Sequence, residues 1–150
     1  MNLQKKAVFF DVDDTMYDHL HPTRDALRTV LGLSEHFPYE EAYHRIRYYS
    51  DLLSAKGGLL EGKAGANELD DMREGRFILA LQEFGVDLTR EQAVQVQQEY
   101  LDRQYRLDAF EGATSLIDEL SSAGYVVGLI TNGLEEHQMS KVKAMTLENH

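Results

Sequence analysis

Two short apolar runs, Ala7–Phe10 and Tyr125–Ile130, each end abruptly in polar residues, and the stretch between them carries helical spacing. A continuous apolar run of this length, bounded by turn residues, is the pattern of a strand buried on both faces. Two such strands belong in one parallel sheet, yet the chain joining them is far longer than an ordinary crossover. A simple strand–helix repeat is therefore excluded. The economical architecture is an α/β core, Rossmann-like in its parallel sheet, built from residues 1–18 and 108–150 and interrupted by an all-helical insertion over 19–107.

Within the insertion, Pro22 and Thr23 open a helix with Ala26, Leu27, Val30 and Leu31 on one stripe, ending at Gly32. A second helix is expected over Tyr39–Ala55, with Ala42, Ile46, Tyr49 and Leu53 three or four apart. Residues 56–67 hold Gly57, Gly58, Gly62 and Gly65 and are expected to form a mobile loop. Helical spacing returns from Leu69 to Phe84 through Met72, Arg76, Leu79 and Ala80. Thr89 with Gln92 is the pattern of a capping box opening a further helix through Val96 and Tyr100. After it, Gly112–Ala123 is predicted as a helix facing inward through Leu116, Ile117 and Leu120. The helix after Ile130 is predicted to bury Met139, Val142 and Met145.

The first apolar run leads into Asp11, Asp13, Asp14 and Thr15. At roughly 5 Å in water each like-charge pair costs on the order of 0.8 kcal/mol, and more where water is excluded. Packing gives no reason to concentrate that repulsion beside a strand. A divalent cation or a shared proton would offset it. The second run ends in Thr131-Asn132-Gly133. In open parallel sheets ligands bind at the C-terminal strand edge, and both polar clusters fall there. A hydroxyl and backbone amides suit phosphate oxygens, but carboxylates alone would repel them, so the combination calls for Mg²⁺ between the two.

Composition narrows the classes. A formal charge of −11 argues against a nucleic-acid binder, although a bound metal can reverse the local field for an anionic substrate. There are no cysteines, so disulfides and thiolate metal sites are excluded. No run approaches membrane-spanning length and the first residues hold no apolar signal core, so a cytoplasmic chain without membrane contact is expected.

The segment Asp11-Val-Asp-Asp-Thr15 resembles the first motif, Asp-x-Asp-x-Thr, of the haloacid dehalogenase-like (HAD) hydrolases, and Val126–Gly133 resembles their second motif. The helical block is similar to the cap of phosphatases in that superfamily, and the Asp-Asp-Thr and Thr-Asn-Gly variants look most like its nucleotidase and sugar-phosphate phosphatase branch. The resemblance implies a Mg²⁺-dependent phosphomonoester hydrolase acting on a small phosphometabolite. Asp11 would be the nucleophile and Asp13 the general acid and base. The Asp11 carboxylate and the Asp13 main-chain carbonyl would bind the metal. Thr131, with the amides of Asn132 and Asp14, would hold the phosphoryl group. An acid at position 13 sets the pattern apart from the true dehalogenases.

The family's third motif, a lysine, and its fourth, an acidic pair, fall after the second motif and its helix, whereas the sequence in hand stops at His150. Lys141 and Lys143 come too early to match the third. Two readings follow: a portion of a longer protein, or a C-terminally truncated relative whose open sheet edge a homo-oligomer partner covers. A catalytically silent binding or assembly module is the alternative function. A receiver domain also carries acids after its first strand, but the helical interruption disfavours it. An EF-hand loop is excluded because its sixth place is Met16, not glycine. Lys63, Arg73 and Arg76 are expected as solvated or cap-internal cations ahead of substrate contacts. Tyr48, Tyr49 and Tyr100 are expected as packing residues, and His19, His21, His36 and His44 lack ligand spacing.

Overall fold

The computed structural model describes residues 6–63 and 65–150. Its elements are β1 (Ala7–Phe10), α1 (Leu20–Leu31), α2 (Tyr39–Lys56), a 3-10 turn (Leu59–Glu61), α3 (Ala66–Gln82), α4 (Arg90–Gln104), α5 (Ala113–Ser122), β2 (Val126–Leu129) and α6 (Glu135–Ala144), followed by a 3-10 turn (Leu147–Asn149). The chain is a mostly helical α/β protein with a two-stranded parallel sheet among the described residues. No helix among them is long and apolar enough to cross a membrane.

The chain divides into two compact units, one formed by the segment up to His19 together with Asp102–His150, the other by Leu20–Leu101. In the first, β1 pairs with β2 from Ala7↔Val126 to Phe10↔Leu129. The ladder continues at both ends, where the Val126 amide donates to the Lys6 carbonyl at 2.9 Å and the Ile130 amide to the Phe10 carbonyl at 2.8 Å. Phe10, Val127 and Leu129 pack on a core of Val12, Met16, Tyr17, Leu107, Ile117, Val142, Met145 and Leu147.

The strands are not buried on both faces, contrary to the pattern of their apolar runs. Phe9, Val126 and Ile130 remain 58 %, 48 % and 61 % exposed. Side chains alternate across a strand, and in β1 only Val8 and Phe10 turn toward cover. The other face is clad by Phe9, whose ring lies where a Cβ at Gly128 would stand. The α6 expectation also shifts. Met139 is exposed, and the buried face is Gln138, Lys141 and Val142, continued by Met145. The 138-141-142-145 spacing is the helical stripe, but two of its members are polar.

In the helical unit, Ala26, Leu27, Tyr39, Ala42, Ile46, Phe77, Ala80, Leu81, Val96 and Tyr100 form the core. The stripe of α3 therefore runs through Phe77, Ala80 and Leu81 instead of Met72, Arg76 and Leu79, which are only half-buried. The glycine-rich segment is shorter than a loop over 56–67. It holds the 3-10 turn between Gly58 and Gly62, both at positive φ, and α3 begins at Ala66; Ala64 lies outside the described residues. The capping box forms as its residues dictate, with the Gln92 amide donating to Thr89 Oγ1 at 3.2 Å and the Thr89 amide to Gln92 Oε1 at 3.0 Å. Arg45 grips Glu83 through two nitrogens, tying α2 to the end of α3.

Candidate active site

The parallel register decides which polar residues meet. Phe10 and Ile130 are joined by the last hydrogen bond of the ladder, so Asp11 and Thr131, each one residue further, leave the same edge of the sheet. Adjacent strands lie about 4.8 Å apart, which sets the scale of their separation. Past Asp11 the chain turns sharply. The amides of Thr15 and Met16 both point to the Val12 carbonyl, and Asp14 takes the left-handed conformation with φ of 60°. Aspartate tolerates that region better than most residues. The turn sends Val12 into the core and leaves Asp11, Asp14 and Thr15 exposed.

The three carboxylates have different surroundings. Asp11 has no hydrogen-bond or ion-pair partner among the described residues. Asp14 Oδ1 accepts the His19 amide at 3.0 Å, pinning the end of the turn. Asp13 is the most engaged. Its Oδ1 accepts from Lys141 Nζ and from the Tyr17 hydroxyl, both at 2.7 Å, and its Oδ2 accepts from Gln138 Nε2 at 3.3 Å. Burial alone would raise the Asp13 carboxyl. The charge on the neighbouring His19, the charge and hydrogen bond of Lys141 and the hydrogen bond of Tyr17 outweigh it and hold the group well below the usual carboxylate range. Asp13 is therefore a carboxylate at rest, rigidly aimed.

Lys141 is the residue that sequence reasoning missed. Its side chain is 1 % exposed, it reaches Asp13 from α6, and its ammonium lies 5.8 Å from the centre of the Tyr17 ring. Gln138 and Lys141 are three apart and share one face of α6. The available signal was that face, 138-141-142-145, with polar residues placed where an apolar stripe should continue.

The second cluster contributes less side-chain structure. Thr131 is half-buried and its Oγ1 is 3.4 Å from the Gly133 amide, while Asn132 is exposed. Thr131 is not the cap of α6, since Leu134 occupies the N-cap position. Gly133 has a packing reason: a Cβ there would collide with the Gln138 amide that reaches Asp13.

For a divalent cation the donor set is an open one. Among the described residues no three His, Cys, Asp or Glu side chains gather. Mg²⁺ keeps several waters and takes one or two carboxylates beside substrate phosphates, so a lone unengaged Asp11 carboxylate fits its demands. The Asp13 carboxylate is held by protein donors.

The other candidates lie elsewhere. Lys63 pairs with Glu61 at 2.6 Å on the surface, Arg73 approaches Asp70 at 3.8 Å, and Arg76 is half-buried between Ser50 of α2 and Gln97 of α4. Tyr49 donates to Glu83 at 2.7 Å, Tyr100 is buried in the helical core and Tyr48 is exposed. His21 and His36 face Asp25 and Glu35, and His44 stacks near Tyr43.

Comparison with known proteins adds four findings. The sequence matches the family described as hydrolase, haloacid dehalogenase-like hydrolase, over residues 5–149. It is 28% identical over 141 residues to glyceraldehyde 3-phosphate phosphatase of Methanothermobacter thermautotrophicus, covering 91% of this chain and 56% of that protein. Among solved structures it resembles a dehalogenase at TM-score 0.68 and 19% identity, covering 99% of this chain and 61% of the other. It also resembles magnesium-bound YfnB of Bacillus subtilis at TM-score 0.60 and 22% identity, covering 95% and 60%. The chain thus spans little more than half the length of the relatives it matches.

Proposed function

The chain belongs to the haloacid dehalogenase-like hydrolases, and on that premise we propose that it carries the nucleophile half of a Mg²⁺-dependent phosphomonoester hydrolase acting on a small phosphometabolite. The unit holding β1 and β2 serves as the α/β core, and the helical unit as its cap. The observation that carries the reading is the common sheet edge of Asp11 and Thr131, with Asp13 oriented beside it by Lys141, Tyr17 and Gln138. A sugar-phosphate phosphatase among the relatives supports the substrate class.

In this reading an Asp11 oxygen attacks phosphorus, forming an aspartyl-phosphate as the P–O bond to the alcohol breaks. The departing alkoxide takes a proton from Asp13. Water then attacks the phosphoenzyme, returns its proton to Asp13 and releases inorganic phosphate. Thr131 and the amides of Asn132 and Asp14 hold the phosphoryl oxygens. The Asp11 carboxylate and the Asp13 carbonyl would hold Mg²⁺, which when bound neutralises the charge of carboxylate and phosphate oxygens. The resting Asp13 favours the water-activating half of this cycle. Its acid half requires a proton on a group that Lys141 keeps ionised. An acidic residue with that task also fits phosphate ester chemistry better than halide displacement, which needs no acid for its leaving group.

The test is hydrolysis of an aryl phosphate by the full-length protein with Mg²⁺. Asp11→Asn is expected to abolish turnover while leaving thermal unfolding unchanged, because Asp11 has no partner to lose among the described residues. Turnover retained by that variant refutes the assignment.

A further inference from the structure

Arg76 stands out in the helical unit because its charge has no counter-ion among the described residues. It sits on α3 between α2 and α4. Its Nη2 donates to Gln97 Oε1 at 2.7 Å and its Nη1 to Ser50 Oγ at 3.2 Å, both neutral acceptors. The guanidinium carbon lies 4.7 Å from the Phe77 ring centre and 5.2 Å from that of Tyr100. Its Nε is buried with no hydrogen-bond partner. No carboxylate pairs with it among the described residues.

Two facts make this arrangement costly. Arginine does not escape burial by losing its proton, so the charge stays. Burial pushes the group down from its ordinary value; the Tyr100 phenol offsets part of this, while the charges of Arg73 and Arg47 press it further down. Ring faces and neutral acceptors repay only part of such a charge. Surface arginines of the same unit are treated differently: Arg45 and Arg90 each have a carboxylate within hydrogen-bonding distance. A half-buried cation between three helices, with a buried donor left over and no carboxylate on it among the described residues, is arranged for a negative ligand supplied from outside.

We propose that the helical unit binds an oxyanion at Arg76, with Ser50 and Gln97 fixing the guanidinium plane. The guanidinium offers a planar fork of donors, which matches carboxylate, sulfate or phosphate oxygens. All of these residues belong to one unit, so the site is independent of the chemistry at the sheet edge and of the hydrolase reading.

The experiment is thermal unfolding of the full chain in sulfate against chloride at equal ionic strength. A Thr131→Ala background removes the candidate phosphate site at the strand ends from the readout. Sulfate is expected to raise Tm by roughly 3–5 °C at about tenfold excess over its Kd. Adding Arg76→Met to that background should abolish the rise. In chloride the Arg76→Met chain should melt at the same temperature or higher, since a half-buried charge with no carboxylate on it among the described residues has been replaced by an apolar side chain. A succinate series beside the sulfate series separates a carboxylate ligand from a tetrahedral one. The proposal is overturned if neither anion raises Tm above chloride in the Thr131→Ala chain. It is overturned equally if the rise survives Arg76→Met, or if that variant melts markedly lower in chloride, which would make Arg76 a packing residue.

Discussion

Lys141 Nζ lies 2.7 Å from Asp13 Oδ1, although the two residues are 128 positions apart in sequence. The contact joins the turn after β1 to the buried face of α6, so one ion pair fixes both the aim of a candidate catalytic carboxylate and the seating of a helix. Removing one partner of a buried pair strands the other charge and costs on the order of 3–5 kcal/mol. Lys141→Met is expected to lower stability by about that amount in urea unfolding. The double variant Asp13→Asn with Lys141→Met should lose at least about 1 kcal/mol less than the two single losses added together. Simple additivity would show that the pair is not coupled.

The same contact sets an acid response. Because the folded Asp13 carboxyl lies below its ordinary value, its contribution to stability is fully present above the unfolded carboxylate range, near pH 4. It fades as pH falls toward the folded value, because the unfolded chain takes up the proton first. Without Lys141 the carboxyl moves upward and the difference between folded and unfolded states shrinks. The gap in Tm between the parent chain and Lys141→Met should therefore narrow as pH falls from 6 to about 3. A gap independent of pH would remove Lys141 as a cause.

Gly133 is expected to be intolerant of alanine for a reason remote from its own backbone. Its φ is not in the left-handed region, but a Cβ would collide with Gln138 and force that side chain off Asp13. A hydrogen bond to a charged group contributes about 1.5–3 kcal/mol, and the long Gln138 contact puts the loss at the lower end. Gly133→Ala and Gln138→Ala should each destabilise the chain. Combined, they should cost little more than the larger of the two, as measured by chemical unfolding.

In the helical unit, Thr89→Ala removes one half of the capping box of α4 and should cost about 1 kcal/mol. Thr89→Asn should restore most of it. Equal melting of the parent and Thr89→Ala chains would show that tertiary packing alone holds that helix end.

The outline of the fold was legible because its cues are local. Thr89 with Gln92 starts a helix wherever it sits, and apolar runs ended by Asp11 or Thr131 mark strand ends without knowledge of neighbours. The carboxylate cluster was legible because its repulsion needs explaining. What could not be read from the sequence was non-local. Phe9 and Ile130 look as apolar as Phe10, and only the alternation of the paired strands shows which of them face outward. Lys141 looks like an ordinary surface cation near the C-terminal end of a helix. Its burial follows from the position of Asp13, and no apolar stripe containing Met139 could reveal it.

The pairing of β1 with β2 joins residues roughly 120 apart in sequence, and this orders events in time as well as in space. β1 has no partner in this ladder until β2, roughly 120 positions later, has been made. The helices in between need only neighbours close in sequence, and such contacts form fastest. On this account the ladder that carries Asp11 and Thr131 assembles after the helices that lie between its two strands in sequence. The edge where the candidate chemistry gathers thus comes into existence only after the helices that separate its two halves.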